Sequence, residues 1–512
     1  MTRPVTHLWR LFKWGRTLAR HGALRGIEHD PLTPPNVRRL VRLARFGTRQ
    51  PEVPDYAAAL QAIGPAAIKL GQALATRPDL VGDAAAANLL QLQDSVPPAP
   101  FAAIKAEIER ALEAPLEALY SEFDPIPVGA ASIAQVHRAK TIEGRDVAVK
   151  VLRPGVEEEF ARALETYEWA AGHVELLGGE AERLRPRLVI AHFKQWTRRE
   201  LDLQREAASA SELKENMVAE PGFYVPEIDW TRTARRVLTL EWLDGIKLSD
   251  RARLIEEGHD PAQLAAILVR AFLRQAVVDG YFHADLHQGN LFALRDGRVA
   301  AIDFGIMGRI DRRARLWLAE ILYGLITGNY RRVAEIHFEA QYVPAHHNVA
   351  EFATALRAIG EPIRGLPVKQ ISVGRMLEGL FTITRDFDMQ TQPHLLLLQK
   401  TMVMEEGVAT ALDPDINMWE TSEPFLKEWL RGELGPEAYY ADKIVDTVRA
   451  FKLIPDLIRR IDAAYPPAGG APPPPPLTDF DPNQGRPWLA AALAATLAAG
   501  AGAAITAALL LN

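Results

Sequence analysis

Apolar positions recur with two different periods along this chain, and the changes of period lay out its elements. Val147, Val149 and Val151 alternate with Ala148, Lys150 and Leu152, the two-residue period of a strand. Residues 135–139 read as the preceding strand, with a turn at Glu143-Gly144, and residues 238–245 as an apolar strand running out into a loop. Leu264, Ile267, Leu268, Ala271 and Phe272 fall at helical spacing and predict a buried helix over 262–282. Residues 291–294 and 299–302 then pair around Asp296-Gly297 as a hairpin, and a helical pattern resumes over 312–326. Further upstream, Pro65 after Gly64 opens a helix that Arg77-Pro78 closes, and residues 198–208 read as one continuous helix.

The two ends carry different patterns. Over residues 8–18, Arg10, Lys13 and Arg16 form a stripe beside Leu8, Leu11, Phe12 and Leu18. This suits either an interfacial helix on anionic lipid or an amphipathic helix packed on its own domain. Residues 488–511 hold 24 positions without a charge. As a helix they span about 36 Å at ~1.5 Å per residue, enough for a hydrocarbon core of about 30 Å. Arg486 just before them places the main body on the cytoplasmic side. Residues 466–487, with Pro472–Pro476 in a row, read as an extended spacer.

Composition adds little until it is divided along the chain. Of 512 residues, 48% are apolar and 24% charged, as in an ordinary globular protein. There is no cysteine, which excludes disulfides, thiolate metal sites and cysteine nucleophiles. The net charge of −6 conceals a basic arm, because residues 1–50 carry eleven Lys/Arg against Glu28 and Asp30. That is +9, leaving −15 for the rest, an acidic body that argues against broad nucleic-acid binding.

The chemistry is concentrated in His283-Ala-Asp-Leu-His-Gln-Gly-Asn290 and Asp303-Phe-Gly305. Kinases use this order to place a catalytic carboxylate (here Asp285), a metal-binding amide (Asn290) and a metal-binding carboxylate (Asp303) around ATP phosphates. Lys150 in Val-Ala-Val-Lys has the form of the kinase strand lysine that holds the α- and β-phosphates. Of the acids that follow, Glu206 is the expected partner of Lys150. Glu200 and Asp202 would project about 200° apart on a helix of ~3.6 residues per turn. Small residues through Gly129, Ala130, Ala131 and Ser132 allow backbone N–H groups close to phosphates. Lys69 and Gln72 share a helix face. Two histidines at i, i+4, His283 and His287, raise zinc hydrolysis, but Ala284 stands where a zincin needs glutamate.

Together these motifs resemble the UbiB family of atypical kinase-like proteins. Lys69-Leu-Gly-Gln72 is similar to its KxGQ motif, Gly129–Ser132 to its alanine-rich loop, and Glu200-Leu-Asp202 to its ExD motif. Lys150, Glu206, Asp285, Asn290 and Asp303 match the shared kinase positions. The chain departs from the family in having Leu286 and Gln288, where prolines are common, and in having room for one C-terminal span where some relatives have two. The resemblance implies an α+β, two-lobed protein-kinase-like fold with an N-terminal helical extension and a C-terminal transmembrane helix. Its parts fall at 1–54 (basic segment), 55–124 (KxGQ extension), 125–245 (N-lobe), 246–465 (helical C-lobe), 466–487 (linker) and 488–511 (span).

The resemblance also implies ATP and Mg²⁺ as cofactors. Gly129, Ala130, Ala131, Ser132, Ala148, Lys150 and Glu241 would line the nucleotide, and Lys69, paired with Glu200 or Asp202, would close over the site. Membrane lipids, quinone precursors and quinone-biosynthesis enzymes are the implied partners, at a bacterial inner membrane. The residues add one restriction: only a short stretch separates Gly305 from the next helix, with no Ala-Pro-Glu segment for docking peptides. The expectation is a membrane-associated ATPase supporting ubiquinone synthesis. Its rivals are a small-molecule or lipid kinase of the aminoglycoside-phosphotransferase type and a nucleotide-gated lipid-binding scaffold.

Overall fold

The structure, a computed structural model, describes residues 4–25, 35–48, 53–75, 83–89, 97–175, 186–364, 386–389, 393–416 and 418–433, with Pro51, Leu92 and Ile383. The linker at 466–487 and the span at 488–511 lie outside the described residues. The chain forms two compact units. Among the described residues, one takes those up to Ala208 with Glu227–Trp242, and the other takes Ser209–Pro226 with those from Leu243 to Glu433.

The first unit begins with helices α1 (Pro4–Arg20) and α2 (Pro35–Arg45). Leu11, Leu18 and Ala19 of α1 are buried with Val41, Ala44 and Ala170. Arg10 donates to the Arg162 carbonyl at 2.9 Å, and His7 Nδ1 lies 3.0 Å from the Thr166 hydroxyl. The stripe expected over residues 8–18 is therefore divided, with Leu11 and Leu18 packed inward and Phe12 exposed. Helices α3 (Tyr56–Ile63), α4 (Pro65–Ala75) and α5 (Asp83–Leu89) follow. Asp55 caps α3 by accepting from the Ala58 N–H, and Ala57, Ile68, Leu89 and Leu92 form the shared core. Gly71 sits where a Cβ would overlap the methyls of Leu60 and Leu92, so the helices approach closely only because that residue is glycine.

Helix α6 (Phe101–Leu112) backs an antiparallel sheet of β1 (Tyr120–Phe123), β2 (Gly129–Ala130), β3 (Ala134–Thr141), β4 (Asp146–Leu152) and β6 (Val237–Glu241). Its order is β1-β3-β4-β6, with β2 also on β3. Val147, Val149 and Val151 pack on Ile104, Ile108 and Tyr120, as their alternation requires. Helices α7 (Val156–Glu175), α8 (Pro186–Glu200) and α9 (Leu203–Asn216) complete the connections. Residues 198–208 are thus not one helix. The Leu203 N–H leaves the helical ladder for the Arg235 carbonyl at 2.9 Å, breaking the run between Glu200 and Leu203.

The second unit holds a sheet of order β5-β10-β9-β7, built from β5 (Phe223–Tyr224), β7 (Gly245–Lys247), β9 (Leu291–Leu294) and β10 (Val299–Ala301). Helix α10 (Pro261–Leu273), capped by Asp260, does not continue to 282. It widens into a π-helical stretch, Arg274–Asp279, and stops at Gly280 (φ 64°). Strand β8 (Tyr281–His283) then pairs with β11 (Met307–Arg309), and the Ile310 N–H bonds to the Gly280 carbonyl at 2.8 Å. Pairing with a distant strand overrides the local helical pattern there. Helices α11 (Arg312–Thr327), α12 (Tyr330–Glu339), α13 (Val349–Arg364), α14 (Pro393–Leu412) and α15 (Met418–Glu433) form the rest. Among the described residues, one helix, Pro261–Asp279, is long and apolar enough to cross a membrane, and it is largely buried in the core.

Candidate functional site

In the first unit, Lys150 stands in β4 opposite Val136 of β3 and Leu238 of β6. Because the valines on either side face the core, its ammonium emerges on the other face and meets Glu206 Oε1 at 2.7 Å. Glu206 lies in the first turn of α9, where the helix dipole favours a carboxylate. The side chains are 16% and 6% exposed. Such a pair gains little over an apolar substitute, yet stranding either charge is costly.

The small-residue loop sits beside this pair. Gly129 and Ala130 pair with Val136 and Gln135, and the Ala131 N–H returns to the Ala134 carbonyl at 2.8 Å. Ser132 is buried. Arg153 braces the loop from behind, donating to the carbonyls of Ala131 (3.3 Å) and Pro97 (2.7 Å). Ala148 lies two residues before Lys150 and pairs with Leu240. At the end of β6 the Glu241 N–H is taken by the Glu227 carbonyl, and its carboxylate accepts from the Glu227 N–H at 3.2 Å. The Glu241 backbone donor is thus committed within the protein.

The helical extension brings Lys69 and Glu200 into an ion pair, with the Trp196 ring 5.9 Å from the ammonium. Gln72 is half-buried on the same helix. Asp202 is not part of this pair. It lies in the break between α8 and α9, 3.8 Å from Arg205, because the two acids do not share one helix.

In the second unit His283 organises the catalytic-type loop. Its Nε2 bonds to the Asp303 carbonyl, its Nδ1 accepts from the Asp285 N–H at 3.1 Å, and its own N–H donates to Gln275 Oε1 at 3.0 Å. One ring nitrogen donates and the other accepts, which defines a neutral imidazole, and burial pushes its pKa down. Both nitrogens are committed to backbone, so His283 offers none to a metal alongside His287, whose Nδ1 accepts from the Gly289 N–H. These bonds tie Asp285 to the segment carrying Asp303. Asn290 Nδ2 lies 3.5 Å from the Asp285 carbonyl, and the Ile302 N–H bonds to the Asn290 carbonyl. Asp303 Oδ1 accepts from the Gly305 N–H at 3.0 Å.

One participant was not visible in the motifs. Lys400 of α14 places its Nζ 3.2 Å from Asp285 Oδ1, with both side chains about one-third exposed. The only sequence signal is a polar interruption, Gln399-Lys400-Thr401, in an otherwise apolar run. The contact joins residues 115 positions apart.

The donor set fits a hard divalent cation. The Asp303 carboxylate and the Asn290 amide oxygen are oxygen ligands, the type Mg²⁺ accepts. The Asn290 amide nitrogen points toward the Asp285 carbonyl, leaving its oxygen as the available donor.

A strand lysine on a helix glutamate, a loop bridged through histidine to an Asp-Phe-Gly turn, and a short connection to the following helix define an atypical kinase-like protein. Residues 91–337 match the ABC1 atypical kinase-like domain and residues 356–417 the UbiB helical domain, which contains Lys400. The chain belongs to the UbiB family. A Marinobacter nauticus protein named probable protein kinase UbiB is 42% identical over 382 residues, covering 74% of this chain and 70% of that one. A Mycobacterium tuberculosis protein solved in complex with erythromycin aligns over 70% of this chain and 91% of its own, with 24% identity and a TM-score of 0.49. Membership of a kinase-like family implies nucleotide binding.

Proposed function

We propose that this protein is a membrane-associated, ATP- and Mg²⁺-dependent kinase-like ATPase that supports isoprenoid-quinone synthesis and does not phosphorylate proteins. The buried Lys150–Glu206 pair carries the reading, since it presents a preorganised ammonium for phosphate oxygens. Lys150 holds the α- and β-phosphates. Asn290 and Asp303 hold Mg²⁺, which when bound neutralises charge on the phosphates. Asp285 orients the acceptor, water or a small hydroxyl compound, and takes its proton. Lys400 keeps the Asp285 carboxylate in place. Lys69 and Glu200 form a closure contributed by the extension. Membrane association is assigned to residues 488–511, with the body cytoplasmic, and the partners are membrane lipids and quinone precursors.

Phosphate release by the full-length protein, with and without anionic membranes and quinone-precursor mimics, tests the proposal. Asp303→Asn and Asp285→Asn should each lower release at least about a hundredfold. Release unchanged in both variants refutes it, while stoichiometric appearance of a phosphorylated small molecule selects the small-molecule kinase.

A further inference from the structure

The corner between α12 and α13 carries two adjacent histidines that the nucleotide site does not use. The His347 N–H bonds to the Pro344 carbonyl at 3.2 Å, and Asn348 Oδ1 accepts from the Ala350 N–H at 2.8 Å in the first turn of α13. This tight corner holds both imidazoles just ahead of the helix, stacked with centroids 4.1 Å apart. A segment 41 positions further along the chain returns to meet them. Asp388 Oδ2 lies 3.2 Å from His347 Nε2 and 3.6 Å from His346 Nε2. Each of the three residues offers one ligand atom, and these atoms fall within 4.8 Å of one another.

The core, not the contact itself, holds both sides of this cluster. The Phe387 ring lies 4.9 Å from that of buried Phe352 and 5.3 Å from that of His347, and Met389 packs in the same cluster. Between these anchors Asp388 has φ 49°, a left-handed conformation that aspartate tolerates better than most side chains. A solvent-exposed ion pair gains little, and one histidine is enough to make it. Here two imidazoles converge on one carboxylate oxygen, with the His346 and Asp388 side chains 67% and 68% exposed. Ligands about 2.0–2.2 Å from a tetrahedral Zn²⁺ stand roughly 3.3–3.6 Å apart, close to the two nitrogen–oxygen separations at Asp388. Turning exposed His346 brings in the remaining nitrogen. Two nitrogens and one carboxylate favour a transition-metal dication over Mg²⁺ or Ca²⁺, which take oxygen ligands. We propose that His346, His347 and Asp388 bind a divalent transition metal, Zn²⁺ being the expected ion, which clips the chain ahead of α14 onto the α12–α13 corner. None of the three residues belongs to the nucleotide site, so the proposal stands or falls independently of the ATPase reading.

Untagged full-length protein, stripped with a chelator, is titrated with Zn²⁺ against a chromophoric indicator in excess Mg²⁺. It should take up a single equivalent with a Kd of about 10 µM or tighter, weaker than a closed four-ligand site. His347→Ala and Asp388→Ala should each weaken uptake by at least about tenfold. Asp303→Asn should keep the equivalent, and its loss there would place the ion at the nucleotide site and overturn the proposal. At saturation Zn²⁺ should slow carbethoxylation of His346 and His347 by about fivefold or more, read by peptide mass spectrometry, and leave exposed His192 unaffected. In chelator the exposed-site variants should melt within about 1 °C of wild type, so that weakened uptake reports ligation and not unfolding. No uptake at about 100 µM free Zn²⁺ refutes the site and leaves an exposed ion pair only. Undiminished uptake in both alanine variants, or modification of His346 and His347 that Zn²⁺ does not slow, refutes it equally.

Discussion

Glu206→Gln is the sharpest perturbation of the nucleotide half-site, because it removes a charge and almost no volume. It leaves the Lys150 ammonium, only 16% exposed in its side chain, without the carboxylate 2.7 Å away. Breaking a buried pair from one side costs about 3–5 kcal/mol, but Lys150 keeps some access to water and glutamine retains one hydrogen bond, so about 2–3 kcal/mol is expected. Lys150→Met removes the ammonium from Glu206 instead, with a similar cost. The double variant Lys150→Met/Glu206→Leu removes both charges and should fall within about 1 kcal/mol of wild type; with Glu206→Leu, which costs no less than Glu206→Gln, as the matching single, the coupling energy is about 3 kcal/mol or more. Nucleotide binding should not recover with stability, because a charge-assisted contact to phosphate contributes about 1.5–3 kcal/mol, or at least about tenfold in affinity. Urea titration followed by tryptophan fluorescence, beside titration with a fluorescent ATP analogue, reads both quantities. A double variant as unstable as the sum of the singles refutes the electrostatic account. Nucleotide affinity within twofold of wild type in Lys150→Met refutes the assigned role of the lysine.

Lys400→Ala should lower turnover by about a hundredfold while leaving nucleotide affinity unchanged, because it releases Asp285 rather than the phosphates; a matching loss of affinity would place Lys400 on the nucleotide instead. Gly308→Ala puts a Cβ into the Phe282 ring, next to His283, and overpacking of a rigid ring costs about 1–3 kcal/mol. Its expected signature is a lower melting temperature together with reduced turnover. His337 is fully buried against Phe352 with Nδ1 on the Val333 carbonyl, and burial lowers its pKa to about 4 from the usual 6.5. The unfolded chain therefore takes up a proton below about pH 6.5 and the folded one does not until about pH 4. Stability is fully present above the upper value and falls across that window by about 3 kcal/mol. His337→Leu should flatten this dependence in melting experiments between pH 7 and 4, and an unchanged slope would assign it to other groups.

The sequence was most informative where local chemistry and tertiary placement agree. The valine alternation places Lys150 on the face opposite the core because a strand allows only two faces, and the Asp296-Gly297 turn has one economical use, a hairpin. It misled where a distant partner captured the backbone. Residues 262–282 carry a helical pattern throughout, yet β11 pairs with Tyr281–His283 and ends the helix. Residues 198–208 look continuous, yet Arg235 takes the Leu203 N–H. The pairing of Lys69 with Glu200 rather than Asp202 depends on that break, which no helical wheel contains. Lys400 was hidden for a related reason. Its role is set by the packing of α14 against α10, and a lone lysine in an apolar run carries no spacing that marks it.

Leu398 and Met402 of α14 pack in the same cluster as Phe272 and Phe282, on either side of the turn that delivers His283. The two matched family segments are therefore not modules that could be exchanged or trimmed. A chain ending at Arg364 would keep every kinase-type motif in its sequence while opening the hydrophobic core around Phe282, next to His283. Grafting α14 from a distant relative would demand that its core volume and its lysine be inherited together. For this protein the unit of heredity is the interface, and mutations in either segment should be tolerated or rejected in pairs.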